Sequence, residues 1–226
     1  MAKMYAIAID GPAGAGKSTI AKALAKELGF RYVDTGAIYR TVAYFLDLLG
    51  VSPKDVDGVE RYIDELTVAI EYDEEGLQHM IMNGMDVTND IRTPEISLKA
   101  SDVSAHAVVR DMLLDMQRDV AKRHNVVMDG RDIGSVVLPD ADVKIFLTAS
   151  AEVRAQRRVL EYAAKGKKVD YNKTLDEIRK RDYQDTHRVV APLKMTRDSV
   201  KVDTSELDID AAVDAIRQIV LRKIPV

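Results

Sequence analysis

The chain has 226 residues, which is enough for one α/β domain with insertions or for two small domains. Its net charge of −4 argues against a general polyanion-binding surface, and therefore against nucleic acid as a partner. The sequence has no cysteine, which excludes disulfides and thiolate chemistry, and no apolar run long enough to span a bilayer. Residues 1–4 lead directly into the first predicted strand without a signal peptide, so we expect a cytoplasmic protein.

The first fifty residues alternate between strand and helix. An apolar run at 4–9 predicts a buried strand, and apolar side chains at helical spacing predict a helix at 17–28. A short strand follows at 30–33, and a second helix then runs to about Gly50. This order implies a parallel sheet with crossover helices.

A phosphate-binding loop separates the first strand from the first helix. Residues 11–18 read GPAGAGKS and match the P-loop pattern G-x-x-x-x-G-K-[ST]. The glycines let backbone N–H groups turn inward around phosphate oxygens, while the following helix directs its positive end at the same anion. Lys17 would bridge the terminal phosphates, and the Ser18 hydroxyl would hold Mg²⁺. The alternative is a glycine-rich turn that matches by chance, which the flanking strand and helix disfavour.

The middle of the chain predicts a small antiparallel sheet. Strands are expected at 67–72 and 78–82, and the Asn-Gly pair at 83–84 is a strong hairpin signal. A third short strand is expected at 85–87. Residues 91–125 then return to a helical pattern.

The remainder of the chain again alternates strand and helix. Its predicted elements are strands at 125–129, 143–147 and 200–202 and helices at 151–164, 171–190 and 209–222. Together with the two N-terminal strands, these complete a five-stranded core sheet. The predicted fold class is therefore α/β, a five-stranded parallel sheet with flanking helices and a small antiparallel three-stranded insertion.

Two charged residues follow strands at the edge where open α/β sheets bind their ligands. Asp129 ends an apolar strand downstream of the P-loop, where a second acid helps to hold Mg²⁺; the alternative is a helix-capping aspartate. Arg40 lies about one turn into the second helix, and its guanidinium suits a phosphate that the P-loop does not hold. A surface arginine is the alternative there.

The helices at 151–164 and 171–190 are rich in arginine. Charged side chains recur at helical spacing: Arg154, Arg157 and Arg158 in the first, and Arg181, Asp185 and Arg188 in the second. Each set could be a solvated helix face. Phosphoryl transfer, however, needs mobile cations and the exclusion of water, so beside a P-loop this segment favours a closing helical lid.

Taken together, these motifs resemble the bacterial-type cytidylate kinases within the nucleoside monophosphate kinases. The resemblance is carried by IDGPAGAGKS at 9–18, DTGAIYR at 34–40, IRTPE at 91–95, DGRDIG at 129–134 and RVVAPL at 188–193. It covers nearly the whole chain, and DGRDIG with DTGAIYR is much more specific than the P-loop. It implies Mg²⁺-dependent, in-line transfer of the γ-phosphoryl group of ATP to CMP or dCMP, without a covalent enzyme intermediate.

The resemblance also implies roles for individual residues. Those implied for ATP are Gly11, Pro12, Ala13, Gly14, Ala15, Gly16, Lys17, Ser18 and Thr19, with Arg154, Arg157 and Arg158 of the lid. Those implied for CMP are Thr35, Arg40, Ser101, Arg110, Arg131, Asp132, Arg181, Asp185 and Arg188. Lys17, Arg131, Arg157 and Arg188 would be catalytic, and Ser18 and Asp129 would hold the metal.

Within the implied CMP site, Arg40 and Arg131 would hold the phosphate. Ser101, Arg110 and Asp132 would read the cytosine ring, and Arg181 and Asp185 would meet the sugar hydroxyls. An aspartate can accept from the 4-amino group of cytosine, whereas it would repel the 4-oxo group of uracil. Thr35 stands where the family pattern often has serine, and both offer a hydroxyl. The loop at 204–206 would lie against adenine.

The predicted organisation is a single P-loop kinase domain over residues 1–226. It comprises a core (1–50, 91–150 and 190–226), a monophosphate-binding insertion at about 60–90 and a lid at about 151–189. The expected partners are the small molecules ATP and CMP or dCMP, with no nucleic acid and no membrane, and a monomer is expected.

Two other functions remain open on the residues alone. One is a kinase for another small acceptor, such as UMP or a non-nucleotide metabolite. The other is a GTP-binding switch protein, which would read guanine with an N-K-x-D motif after a strand. The nearest string, at 172–176, has one residue too many, and a D-x-x-G string at 55–58 follows no predicted strand.

Overall fold

Eight strands and eight α-helices are found in the computed structural model, which describes residues 3–164 and 166–225. In chain order they are β1 (Ala6–Asp10), α1 (Lys17–Leu28), β2 (Arg31–Asp34), α2 (Thr35–Leu48), α3 (Val56–Tyr62), β3 (Val68–Tyr72), β4 (Gln78–Met82), β5 (Met85–Asp86), α4 (Pro94–Val103), α5 (Ala107–Arg123), β6 (Val126–Gly130), β7 (Val143–Thr148), α6 (Ala151–Ala164), α7 (Tyr171–His187), β8 (Val200–Asp203) and α8 (Ile209–Leu221). Residues 1, 2, 165 and 226, which the predicted domain includes, lie outside the described residues.

The core is a five-stranded sheet in the order β2-β6-β1-β7-β8, in which every neighbouring pair is parallel. The predicted fold class is therefore confirmed. In the central pair, Ile9 lies opposite Asp129 and Asp10 opposite Gly130. This register brings the P-loop, which follows β1, to the same sheet edge as the DGRDIG segment at the end of β6.

Helices cover both faces of the sheet. Because side chains alternate along a strand, Ile7 and Ile9 of β1 face one layer while Ala8 faces the other. The first layer packs on α1 and α8, and the second packs on α2, α4 and α5. A strand buried on both faces explains why the core strands read as nearly continuous apolar runs.

A separate antiparallel sheet in the order β3-β4-β5 lies between α3 and α4 in the chain. The turn between β4 and β5 has positive φ at both central residues, 48° at Asn83 and 82° at Gly84. An Asn-Gly pair tolerates that geometry, so the hairpin prediction is confirmed. The third strand, predicted over three residues, has two.

The helical segment predicted over 91–125 forms two helices, which are separated at Ser104–His106. Pro94 begins the first, behind Thr93, whose hydroxyl accepts from the N–H of Ile96 at 3.1 Å. At the break, the Ser104 hydroxyl donates to the carbonyl oxygen of Ser101 at 2.8 Å, and Nε2 of His106 lies 2.7 Å from the carbonyl oxygen of Pro53. The contact with Pro53 is tertiary and leaves no periodic signal in the sequence.

Three further differences concern local turns. Helix α7 ends at His187 rather than at residue 190, and Arg188 is already extended. A π-helical turn at Ile133–Val137 was not predicted, nor was α3, whose N-cap Asp55 accepts from the N–H of Gly58 at 3.1 Å. The D-x-x-G string is thus a helix cap, and the string at 172–176 lies inside α7.

Within residues 3–164 and 166–225, no helix combines the length and the apolar character that crossing a bilayer requires.

Candidate active site

A cavity of about 1130 Å³ lies at the carboxyl edge of β1, β2 and β6. Of the residues predicted for the site, Gly11 and Pro12 do not line it, and neither do Ser205 and Glu206 of the loop predicted to lie near adenine. Those that do are Ala13, Gly14, Ala15, Gly16, Lys17, Ser18, Thr19, Thr35, Arg40, Ser101, Arg110, Asp129, Arg131, Asp132, Arg154, Arg157, Arg158, Arg181, Asp185, Arg188 and Thr204. Side chains from distant parts of the chain thus surround one space.

The P-loop is shaped by glycines that no other residue could replace without strain. Gly11 has φ of +152°, and a Cβ there would lie 1.9 Å from the carbonyl oxygen of Leu147. Gly16 has φ of +92° and leads into α1. The loop therefore approaches β7 closely while its backbone turns around the space in front of α1.

Lys17 is buried at the base of this loop, where its Nζ donates to the carbonyl oxygen of Pro12 at 2.8 Å. Burial lowers the pKa of Lys17 to about 7, and the neighbouring Arg131 acts in the same direction. A lysine in such a setting gains much from a bound anion, because the anion would restore the charged form.

Asp129 lies within β6, rather than at a helix N-terminus, and its carboxylate is held from two sides. Oδ2 accepts from the Ser18 hydroxyl at 3.0 Å, and Oδ1 accepts from the Tyr32 hydroxyl at 2.7 Å. The Thr35 hydroxyl donates to the backbone carbonyl oxygen of Asp129 at 2.7 Å. Burial raises the pKa of Asp129, and the negative charge of Asp34 adds to the effect.

The start of α2 holds Arg40. Asp34 caps this helix, since its Oδ1 accepts from the N–H of Ala37 at 2.8 Å, while its Oδ2 pairs with Nη2 of Arg40 at 2.9 Å. Gly36 leaves room for the guanidinium, because a Cβ there would lie 3.1 Å from Nη1 of Arg40. Nε of Arg40 is buried without a hydrogen-bond partner among the described residues. Arg40 is thus fixed by one nitrogen and retains unused donor capacity.

Asp132 is 4% exposed and lies between two arginines. It forms an ion pair with Nη2 of Arg110, and its Oδ1 lies 3.5 Å from Nη2 of Arg188. Burial raises the pKa of Asp132, while the arginines oppose that shift. Ser104 joins the group: its carbonyl oxygen accepts from Arg110 at 3.2 Å and its hydroxyl from Arg188 at 3.0 Å. A carboxylate held in this way can present an acceptor in a fixed direction.

Arg131 and Asp185 form a further part of the cavity wall, with Nε of Arg131 2.8 Å from Oδ2 of Asp185. Burial opposes ionisation of Asp185, yet Arg131 and Arg181 hold its pKa below the usual range. Burial, followed by repulsion from Arg131, lowers the pKa of Arg181 to about 10. Its Nε has no hydrogen-bond partner in the described part of the chain. Cations are crowded at this wall, which favours an anionic ligand.

The three arginines of α6 differ in what they contact. Arg154 is buried and binds both carboxylate oxygens of Asp182 in α7, at 2.9 and 2.6 Å, and the P-loop carbonyl oxygen of Ala13 at 3.1 Å. Arg157 donates to the hydroxyl and carbonyl oxygens of Thr204 at 3.1 and 2.5 Å. Nη2 of Arg158 lies 3.5 Å from the Tyr162 hydroxyl. The first two thus tie α6 to the P-loop and to the loop after β8.

The loop predicted to lie near adenine only partly reaches the cavity. Thr204 lines it, together with Leu207, whereas Ser205 and Glu206 do not. The Ser205 hydroxyl instead donates to Asp203 at 2.7 Å.

The family model described as cytidylate kinase matches the chain over residues 7–222. The chain belongs to the cytidylate kinase family. It is 46% identical over 217 residues to a cytidylate kinase of Caldicellulosiruptor saccharolyticus, covering 96% of each chain. It is 48% identical to a cytidylate kinase of Carboxydothermus hydrogenoformans, covering 96% of this chain and 97% of the relative. The resemblance that the motifs carry is thereby confirmed.

Among solved structures, the chain is similar to a shikimate kinase from Bacteroides thetaiotaomicron. The TM-score is 0.48 and the identity 16%, over 97% of this chain and 99% of that chain.

Several residues of this cytidylate kinase site were not predicted from the sequence, and four of them are informative. Tyr32 and Ser104 contact predicted site residues, and Tyr39 lines the cavity with the Arg110 guanidinium 5.4 Å from its ring centre. Asp10 accepts from the backbone N–H groups of Ile133 and Gly134, each at 2.8 Å. Only Asp10 had a usable signal, since an acid ends an apolar strand there as Asp129 does in β6.

Proposed function

We propose that this chain transfers the γ-phosphoryl group of ATP to the phosphate of CMP or dCMP, with ADP and CDP or dCDP as products. The observation that carries the proposal is the buried Asp132 between Arg110 and Arg188, in the same cavity as P-loop residues 13–18. Membership of the cytidylate kinase family supports the same reading. An acceptor of a 4-amino group and a triphosphate-binding loop are the two parts that this reaction needs.

The phosphate groups would be held by the cationic residues. Lys17 and the P-loop N–H groups would bind the triphosphate of ATP. Arg40 and Arg131 would bind the phosphate of CMP, with Thr35 nearby. Arg157 and Arg188 would neutralise charge that spreads over the transferred group. Catalysis would then consist of positioning and electrostatic stabilisation, since an attacking phosphate oxygen of CMP needs no covalent enzyme intermediate.

Base and sugar would be recognised by two different groups of residues in the cavity. The carboxylate of Asp132 would accept from the 4-amino group of cytosine, with Arg110 and Ser101 beside the ring. Arg181 and Asp185 would meet the sugar hydroxyls.

Ser18 and Asp129 fit the predicted magnesium ion. Their oxygens are hard donors 3.0 Å apart, and both residues line the cavity beside the P-loop. We propose that these two residues hold Mg²⁺, which when bound neutralises charge on the triphosphate.

We further propose the domain organisation predicted above, with α6 and α7 in a lid over the P-loop. Arg154 supports this role because it joins both helices to the loop. The proposal also includes a cytoplasmic monomer that acts on small molecules, without a nucleic-acid or membrane partner. Size-exclusion chromatography with light scattering would measure the oligomeric state.

The test is a coupled assay of ADP release with ATP, Mg²⁺ and, in turn, CMP, dCMP, UMP, AMP and GMP. Strong turnover of CMP or dCMP with weak turnover of UMP is the expected result. Lys17→Ala should lower turnover by about 10²-fold or more while the far-UV circular dichroism spectrum stays the same. Turnover of UMP alone, or of none of the five, would contradict the assignment, as would near-normal turnover by the variant.

A further inference from the structure

Gln78, the first residue of β4, joins the antiparallel sheet to the core sheet with a side chain that takes the place of a neighbouring strand. β2 is an edge strand of the core sheet, so one side of it presents backbone groups without a neighbouring strand. At Asp34 the Gln78 side chain supplies both missing partners. The N–H of Asp34 donates to Oε1 of Gln78 at 2.7 Å, and Nε2 of Gln78 donates to the carbonyl oxygen of Asp34 at 3.3 Å.

A second contact joins the same two sheets without touching Asp34. The hydroxyl of Tyr72, in β3, donates to the carbonyl oxygen of Tyr32 at 3.1 Å. Tyr72 therefore attaches the antiparallel sheet to β2 two residues upstream. The two sheets are thus joined by one contact that involves Asp34, from Gln78, and by one that does not, from Tyr72.

Asp34 fixes the position of the Arg40 guanidinium. Its carboxylate caps α2 through the N–H of Ala37 and pairs with the Arg40 guanidinium. The direction of the guanidinium consequently depends on where the Asp34 backbone lies. A displacement of that backbone would move Arg40, which lines the cavity and whose buried Nε has no hydrogen-bond partner among the described residues.

We infer that Gln78 is a positioning residue for monophosphate binding, because the antiparallel sheet holds Arg40 in place through Gln78 and Asp34. The inference rests on the proposed function, in which Arg40 binds the CMP phosphate. A carboxamide suits this role because it offers a donor and an acceptor side by side. Asparagine is one methylene shorter, and leucine offers neither group.

The position of the contact defines which kinetic constants change. Gln78 acts on the phosphate end of the acceptor, away from Asp132 and from Lys17. Loss of the Gln78 side chain should weaken the binding of CMP and of UMP by the same factor and leave the binding of ATP unchanged. A residue needed only for folding would instead lower the amount of active enzyme, and no KM would change.

The first experiment compares Gln78→Leu with Tyr72→Phe as the matched control. We expect Gln78→Leu to raise the KM for CMP by about 3- to 10-fold, because two hydrogen bonds to Asp34 are lost. The KM for ATP and the CMP-to-UMP ratio of kcat/KM should stay within about twofold, as should every constant of Tyr72→Phe. Gln78→Met, with an unbranched side chain, serves if Gln78→Leu does not fold.

The second experiment is a double-mutant cycle with Arg40→Ala. If Gln78 acts through Arg40, Gln78→Leu should change the KM for CMP by less than about twofold in the Arg40→Ala background. Equal factors in both backgrounds, or an unchanged KM for CMP in Gln78→Leu, would overturn the inference. Wild-type enzyme that binds CMP without phosphorylating it would overturn the proposed function instead. The same variants of Gln78 and Arg40 would then be compared by their Kd for CMP, measured by calorimetry.

Discussion

Several charged side chains in and beside the candidate site are buried. Asp132, Asp10 and Lys17 are all 5% exposed or less, and each is held by specific partners. A buried charge is costly unless it is paired, so such residues are sensitive to small chemical changes. Substitutions that remove the charge but preserve the approximate shape of these side chains therefore test their roles directly.

Replacing Asp132 with asparagine should relax the choice of base. The amide can turn either its oxygen or its NH₂ group toward the ligand, so it can accept from cytosine or donate to the 4-oxo group of uracil. We expect kcat/KM for CMP to fall by about 10²-fold and the preference over UMP to narrow by about tenfold or more. Steady-state kinetics with both nucleotides measures this. Asp115→Asn, on the exposed side of α5, is the control. An equal loss for CMP and UMP would remove the base-reading role.

Asp10 connects the P-loop to the segment that contains Arg131 and Asp132. It immediately precedes Gly11 of the P-loop, and its carboxylate binds the N–H groups that follow Arg131 and Asp132. In Asp10→Asn one N–H would face the NH₂ group of the amide. We expect the free energy of unfolding to fall by about 1–3 kcal/mol, measured by urea denaturation. A change below about 0.5 kcal/mol would contradict this role.

Lys17 should make ATP binding pH-dependent. Its pKa lies at about 7 in the free protein, and the negative triphosphate should raise it toward or beyond the ordinary value of 10.5. Between these two values ATP binding takes up a proton, and ATP affinity falls as the pH rises. Calorimetry at pH 8 in buffers of different ionisation enthalpy would detect the proton. Lys17→Met should abolish the uptake, and an unchanged uptake in this variant would assign it to another group.

At the scale of elements, the approach of β1 to β7 determines the shape of the P-loop. Gly11 follows β1 and passes directly over the backbone of Leu147 in β7. Neighbouring parallel strands are fixed by their hydrogen bonds, so neither can move aside. A glycine is consequently required by packing between two elements as well as by backbone conformation.

Gly11→Ala should therefore cost more stability than an alanine at another glycine with positive φ. Gly29→Ala is the matched control, since φ there is +65° and nothing lies within 4 Å of the added Cβ. We expect losses of about 1 kcal/mol for Gly29→Ala and about 3 kcal/mol or more for Gly11→Ala, where overlap adds to strain. Thermal and urea unfolding measure both. Equal losses would show that backbone conformation alone accounts for Gly11.

At the scale of the whole molecule, the cavity concentrates positive charge in a chain whose net charge is −4. Eight arginines and Lys17 line it. Seven carboxylates line it as well, so a local positive excess remains, and this excess, rather than the overall charge, favours anions at the site. The free protein bears the repulsion among these cations, which a bound phosphate relieves.

Phosphate-bearing ligands should stabilise the protein accordingly. CMP at 100 times its Kd should raise the free energy of unfolding by about 2.7 kcal/mol. Cytidine, which lacks the phosphate that Arg40 and Arg131 would bind, should at the same concentration give a much smaller rise in Tm. Differential scanning calorimetry compares the two ligands. Equal shifts would show that base and sugar, and not the phosphate, provide the binding free energy.

The sequence by itself determined the features that local chemistry specifies. The P-loop, the five core strands and the Asn83-Gly84 hairpin follow from glycine geometry and apolar periodicity within short windows. The motifs also indicated the cytidylate kinase family, and nearly all residues that they nominated line one cavity.

Only the tertiary structure decided how distant residues constrain one another. The break between α4 and α5 depends on contacts such as that of His106 with Pro53, and the site depends on Asp10 with Gly134, Tyr32 with Asp129 and Gln78 with Asp34. These partners are 44 to 124 residues apart in the chain. A hydrogen bond between such residues leaves no periodic pattern in the sequence, because its geometry exists only once the sheet and its flanking helices have packed.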